Sequence, residues 1–153
     1  MSEEIDFREE RKYSVVVNAI IVNNENKVLL VQRGWQEKHG PGTWSVPGGK
    51  LDFTGVTHNA LQETAKKEAL EEAGVEIEDE MELIANNTFE HDEDKLQVVA
   101  LVFLCYYKSG VPKVTEETAD VKWVGLEEIN NFNFHNINVK NYVLKAFKKL
   151  DKK

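Results

Sequence analysis

Two stretches decide how this chain is read: Trp44-Ser45-Val46-Pro47-Gly48-Gly49-Lys50-Leu51, and Lys67-Glu68-Ala69-Leu70-Glu71-Glu72-Ala73-Gly74-Val75. In the second, three carboxylates stand at i, i+3 and i+4. On an α-helix turning roughly 100° per residue they share one face, about a quadrant wide. Like charges this close repel and weaken an isolated helix, a penalty that a divalent cation would remove. A hard ion such as Mg²⁺ takes oxygen ligands, keeps some of its waters and bridges carboxylates to phosphates. A solvated acidic face is the plainer explanation, and the first stretch weighs against it. An aromatic-apolar strand end running into Pro-Gly-Gly is a turn through which backbone can approach a ligand closely.

A glycine-rich turn followed by a glutamate-bearing helix resembles the Nudix hydrolase family, of MutT-like type, whose box is written G-x5-E-x7-R-E-U-x-E-E-x-G-U with U a bulky aliphatic. Glu68, Glu71, Glu72, Gly74 and Val75 match its second half and Pro47-Gly48-Gly49 its lead-in; Ala69 fills a position usually larger. The likeness runs from about Tyr13 to Ile129. It implies an α/β (α+β) fold, a Nudix-type α/β/α sandwich with a mixed β-sheet between helices.

The box is degenerate. Lys67 stands where the family has arginine, and the family's first glutamate, counted back from there, falls on Asn59. The span from Gly49 to Lys67 is four residues longer than the family spacing, enlarging a loop over Asp52-Phe53-Thr54-Gly55-Val56-Thr57-His58. In the family that glutamate and arginine steady the loop and helix together. Here Asn59 reads as a helix N-cap, with Gln62 completing a capping box. Lysine does not reproduce a bidentate arginine fork.

With 153 residues the chain is expected to form one domain, 1–153, the first 12 residues being a charged lead. Its 41% hydrophobic and 30% charged residues fit a folded globular protein. A net charge of −8 argues against gripping a nucleic-acid polymer by its backbone. It leaves room for a small phosphorylated ligand, because bound metal inverts the local sign. Cys105 is the only cysteine, so no internal disulfide forms; it reads as a buried core thiol in a reducing compartment. The acidic start Met1-Ser2-Glu3-Glu4 does not read as a signal peptide. No apolar run approaches a membrane span. The expected setting is cytoplasmic, without membrane.

Valine- and isoleucine-rich Tyr13–Val22 and Lys27–Arg33 read as a β-hairpin across Asn23-Asn24-Glu25-Asn26. After a loop holding Trp35, His39 and Pro41, Trp44–Val46 reads as a short strand. The glutamate helix runs from Asn59 to Ala73, stopped by Gly74, with Ala65, Ala69 and Ala73 letting it lie close to a sheet. Met81–His91 and Leu96–Lys108 are expected to pair around Asp92-Glu93-Asp94, with a further strand at Val121–Val124. Leu126-Glu127-Glu128-Ile129 starts a short turn or helix. A terminal helix, Asn138 to Leu150, carries Val139, Tyr142, Val143, Ala146, Phe147 and Leu150 on one stripe and lysines mostly opposite.

The resemblance implies cleavage of a pyrophosphate linkage in a nucleoside diphosphate derivative. Such chemistry must neutralise phosphate charge and activate and align a water. Glu68 and Glu72 are the expected Mg²⁺ ligands (Mn²⁺ as an alternative ion), with Glu71 helping, a Gly49 carbonyl beside them, and Glu117, or its neighbour Glu116, completing the set from outside the helix. Glu68 is the first choice of base. Arg33 and Trp35 are expected at the substrate, on its phosphates and base respectively, with Gly48 and Gly49 beside it. Trp44 and Trp123 read as framework, Phe89 as core before pocket, and His39, His58, His91 and His135 as loop or surface residues.

The lead-in looks most like family members acting on nucleoside triphosphates, including modified ones, which yield a monophosphate and pyrophosphate. The partner is then a small-molecule nucleotide; oligomeric state is left open, a homodimer included. A second reading is a Nudix-fold nucleotide-binding or regulatory module with little turnover, favoured by Asn59, Lys67 and the enlarged loop and opposed by the three glutamates.

Overall fold

The computed structural model describes residues 12–52, 55–91 and 96–151. The lead before Lys12, Phe53 and Thr54 of the enlarged loop, and the turn Asp92-Glu93-Asp94 lie outside the described residues.

The strands are β1 (Tyr13–Val22), β2 (Val28–Arg33), β3 (Trp44–Ser45), β4 (Gly48–Lys50), β5 (Glu76–His91), β6 (Leu96–Ser109) and β7 (Thr118–Val124). Helix α1 (Ala60–Ala73) lies between β4 and β5, a 3₁₀ turn spans Leu126–Asn131, and α2 (Ile137–Leu150) follows. The strands form one seven-stranded mixed sheet. β1 runs parallel to β6 from Tyr13↔Gln97 to Val22↔Tyr106, and β6 runs antiparallel to β5.

Both faces of this sheet are buried, so its central strands read as apolar runs rather than as a simple alternation. Val17, Ala19 and Ile21 of β1 pack on one side with Leu29, Val31, Phe103, Cys105 and the alanine flank of α1. Ile20 and Val22 pack on the other with Val28, Leu30, Val102, Leu104 and Val143, Ala146 and Phe147 of α2. Ala65, Ala69 and Ala73 are fully buried; their short side chains seat α1 directly on the sheet. The result is the mixed sheet between helices that the sequence implies. Cys105 is a buried core thiol, and burial pushes it up to about 12.

Three local expectations change. The β1–β2 hairpin is paired only at Val22↔Val28. Beyond that point β1 takes β6 and β4 as neighbours while β2 takes β3 and β7, so the two arms of the sheet separate. The Pro-Gly-Gly turn leads into a strand: Gly48 and Gly49 lie in β4, opposite Asn18 and Val17. Asn59 is not a side-chain cap. It takes a left-handed conformation with φ 58°, its side chain makes no capping hydrogen bond, and its carbonyl accepts from Glu63 N–H at 2.9 Å. Asparagine tolerates that backbone region better than most residues, whereas a capping box needs an N-cap with extended backbone. The helix closes as expected: Gly74, at φ 73°, donates its N–H to the last turn. At α2 the cap is Asn136, whose Oδ1 accepts from Val139 N–H at 3.0 Å.

Candidate functional site

Where the two arms of the sheet part, a cleft of about 690 Å³ opens, with Val16 and Asn18 of β1 and Gly48 of β4 on one side and Val31 and Arg33 of β2 and Thr118 of β7 on the other. Its far wall comes from α2 and β5, through Tyr142, Asn138, Asn87 and Phe89. Tyr142 donates its hydroxyl to Asn87 Oδ1, tying α2 to β5 there.

An acidic group beside the cleft is built by α1 and the residue before β7. Glu68, Glu71 and Glu117 each bring a carboxylate oxygen to within 4.8 Å of the other two. Glu68 is 7% exposed, whereas Glu71 and Glu117 are open to solvent. Burial, and then the charges of Glu71 and Glu117, raise the Glu68 carboxyl above its ordinary range. Three hard oxygen donors held against their own repulsion match what a divalent cation requires. Glu116, next in the chain, is exposed and outside this group.

Glu72 is not one of these three but feels the charges of Glu68 and Glu117. It lines the cleft, and its Oε2 accepts a hydrogen bond from Gly48 N–H at 3.3 Å. Burial pushes its carboxyl up to about 8, and the Glu68 charge acts in the same direction; the Gly48 N–H and Arg33 oppose them. Thr118 fixes the backbone above it, donating its hydroxyl to the Glu72 carbonyl at 3.1 Å.

The glycines are required by proximity. A Cβ on Gly49 would run into the Glu68 carboxylate, and one on Gly48 into Asn18 Oδ1 and the Val17 carbonyl. Arg33 lines the cleft; its Nε donates to the His39 carbonyl at 2.9 Å and its Nη2 lies 3.8 Å from Glu37.

Of the residues expected from sequence, Glu68, Glu71, Glu117 and Gly49 gather at one point, and Glu72, Gly48 and Arg33 meet in the adjoining cleft. Trp35 joins neither: it is 70% exposed, away from the cleft lining, with its ring over Gly42. Phe89 is no core residue; it is 45% exposed and lines the cleft. His135 is no surface residue either. It lines the cleft half-buried, its Nδ1 3.5 Å from Thr43 Oγ1, and burial, then Arg33 and His39, hold its pKa below the usual histidine value. Asn18, Asn87 and Asn138 also line the cleft; an isolated asparagine carries no spacing signal that marks it as a site residue. The side chain of His91 lies outside the described residues.

The sequence pattern of the NUDIX domain matches residues 12–145. The chain belongs to the Nudix family. It is 29% identical over 119 residues to a MutT-like protein of Streptomyces ambofaciens, covering 77% of this chain and 68% of that one. Its fold is similar to the crystal structure of a MutT protein from Methanosarcina mazei Go1, with a TM-score of 0.71 and 26% identity over 95% of this chain and 99% of that one. It is also similar in fold to the NUDIX domain of Shewanella oneidensis NrtR complexed with ADP ribose, with a TM-score of 0.73 and 19% identity over 95% and 94% of the two chains. The chain is a Nudix hydrolase, and that fold supports cleavage of pyrophosphate linkages in nucleoside diphosphate derivatives. Nudix hydrolases generally use divalent metals, and an acidic group suited to one is present here. No described helix is long and apolar enough to cross a membrane.

Proposed function

We propose that this Nudix hydrolase converts a nucleoside triphosphate, a modified one included, to its monophosphate and pyrophosphate with Mg²⁺ or Mn²⁺. The observation that carries this reading is the convergence of Glu68, Glu71 and Glu117 beside a cleft that Glu117, Glu72, Gly48 and Arg33 line. Glu68, Glu71 and Glu117 are the first ligands, Glu72 joins them across the Gly48 hydrogen bond, and the Gly49 carbonyl is a further donor. When bound, the ion neutralises phosphate charge and lowers the pKa of a coordinated water. Glu68, through the carboxylate oxygen not given to the ion, takes a proton from the attacking water. Arg33, steadied by the His39 carbonyl, holds the phosphate chain. Phe89, Tyr142, Asn87 and Asn138 receive the nucleoside: an aromatic face for the base and amides that both donate and accept.

The whole chain, 1–153, is proposed to act as one cytoplasmic domain on a small-molecule nucleotide, without a nucleic-acid polymer or a membrane as partner; a homodimer is compatible with this. The test is a screen of nucleoside triphosphates and ADP-ribose with Mg²⁺ or Mn²⁺, detecting released phosphate and pyrophosphate separately. Pyrophosphate release from a triphosphate, abolished by chelator, is expected. Nucleotide binding without hydrolysis at any metal concentration would favour a binding or regulatory module instead.

A further inference from the structure

From β4 onward the chain runs against α1 in the opposite direction and meets it at three successive levels. Gly48 N–H bonds Glu72, Gly49 abuts Glu68, and Asp52 Oδ2 meets Lys67 Nζ at 2.6 Å. The strand number rises as the helix number falls. On its other side this segment is anchored to the sheet, with Leu51 N–H donating to the Val15 carbonyl at 2.8 Å.

We propose that Asp52 and Lys67 are a positioning pair that keeps the β4 backbone in register with the glutamates of α1, in place of the glutamate and arginine of the usual box. The inference rests on the reading of Glu68 as a metal ligand. Asn59, at the box position for that glutamate, is exposed, left-handed and bonds nothing with its side chain at the helix start. Asp52 reaches Lys67 from the strand side instead. The tether closes at the first residue of the lengthened loop, so the register of β4 on α1 does not depend on how many residues follow it in that loop. One carboxylate oxygen is engaged, a contact for which a lysine point charge suffices and the fork of arginine is not needed. Both side chains are substantially exposed, so the pair adds little to global stability. Its effect falls on geometry one residue from Glu68.

A charge effect and a positioning effect predict different signs. Lys67 is a cation beside Glu71 and Glu68. If charge alone mattered, Lys67→Met would tighten cation binding, Asp52→Asn would loosen it, and the double variant would show the sum. Positioning predicts that both single variants loosen Mn²⁺ binding by about tenfold, the usual size for a residue supporting a ligand. The double variant is then no worse than either single, and Lys67→Arg binds as the wild type does. Free Mn²⁺ is read by its electron paramagnetic resonance signal, with the ion alone and no nucleotide. A second arm uses the metal-free protein: hydrogen exchange at the Leu51 amide quickens in both single variants. Opposite signs in the Mn²⁺ titration, additive effects, or unchanged exchange would each overturn the proposal. A wild type that binds no Mn²⁺ would overturn the metal reading instead, and the exchange arm would still decide whether the pair holds the register.

Discussion

The Glu68 carboxylate occupies the space that a Cβ on Gly49 would take. A strand backbone and a helix side chain are in direct contact there, with no room for an intervening group. Gly49→Ala should therefore displace Glu68, lowering Mn²⁺ affinity and kcat roughly tenfold or more while the far-ultraviolet circular dichroism is unchanged. Wild-type affinity in this variant would mean that the contact has no part in holding an ion.

Glu72→Gln should lose most activity, roughly tenfold to a hundredfold in kcat, and should hold or gain stability without metal. The half-buried carboxylate costs desolvation and repels Glu68; the neutral amide removes both penalties. Near-wild-type turnover at limiting Mg²⁺ would remove Glu72 from the ligand set.

The pH dependence of stability follows from the same residue. Its folded pKa, about 8, lies above the ordinary glutamate value of 4.5, so the folded state binds the proton more tightly than the unfolded one. That contribution is fully present below about 4.5 and is lost as pH rises through about 8. Glu68, also raised, acts in the same direction. The metal-free protein should melt at a higher temperature at pH 6 than at pH 8.5, and Glu72→Gln should flatten the difference. An unchanged slope in that variant would assign the effect elsewhere.

Divalent metal should stabilise the fold by mass action, because the carboxylates converge only when it is assembled. At a hundredfold excess over Kd the gain is about 2.7 kcal/mol, or roughly 5–10 °C in melting temperature for a domain of this size. The shift should appear with Mn²⁺ or Mg²⁺ and reverse with chelator. Its absence at millimolar metal would leave α1 as a solvated acidic face.

At Asn59 the left-handed backbone, not a side-chain cap, sets the expectation. Asn59→Ser keeps a good capping group but loses tolerance of positive φ, and should cost about 1 kcal/mol; Asn59→Gly should be neutral or stabilising. Chemical denaturation decides between them, since a capping role would leave the serine variant unharmed.

The sequence made these elements legible to unequal degrees. β1 and the end of α1 were readable because a buried apolar run and a glycine stop are local signals. Glu68, Glu71 and Glu72 stand out through a spacing that the family also uses, whereas Glu117 is expected only from its place in relatives. The strand at Gly48–Lys50 was hidden because glycine suits a turn as well as it suits a strand pressed between a helix carboxylate and a neighbouring backbone. The separation of β1 from β2, which opens the cleft, depends on β6 and β7 arriving from far along the chain. Phe89 and His135 face that opening for the same long-range reason. The Asp52–Lys67 pair spans a loop of altered length, where counting along the box pointed to Asn59 instead.

Under the proposed function, Glu68, Glu71 and Glu117, with Glu72 beside them, hold the ion that serves hydrolysis. The most direct measurement is an anomalous difference map at the manganese edge, from crystals grown with Mn²⁺ and a non-hydrolysable nucleoside triphosphate. A peak within about 2–2.3 Å of carboxylate oxygens from this group, next to the phosphates in the cleft, is expected. A nucleotide bound in the cleft with no manganese peak at these glutamates, or with the peak on other residues, would contradict it.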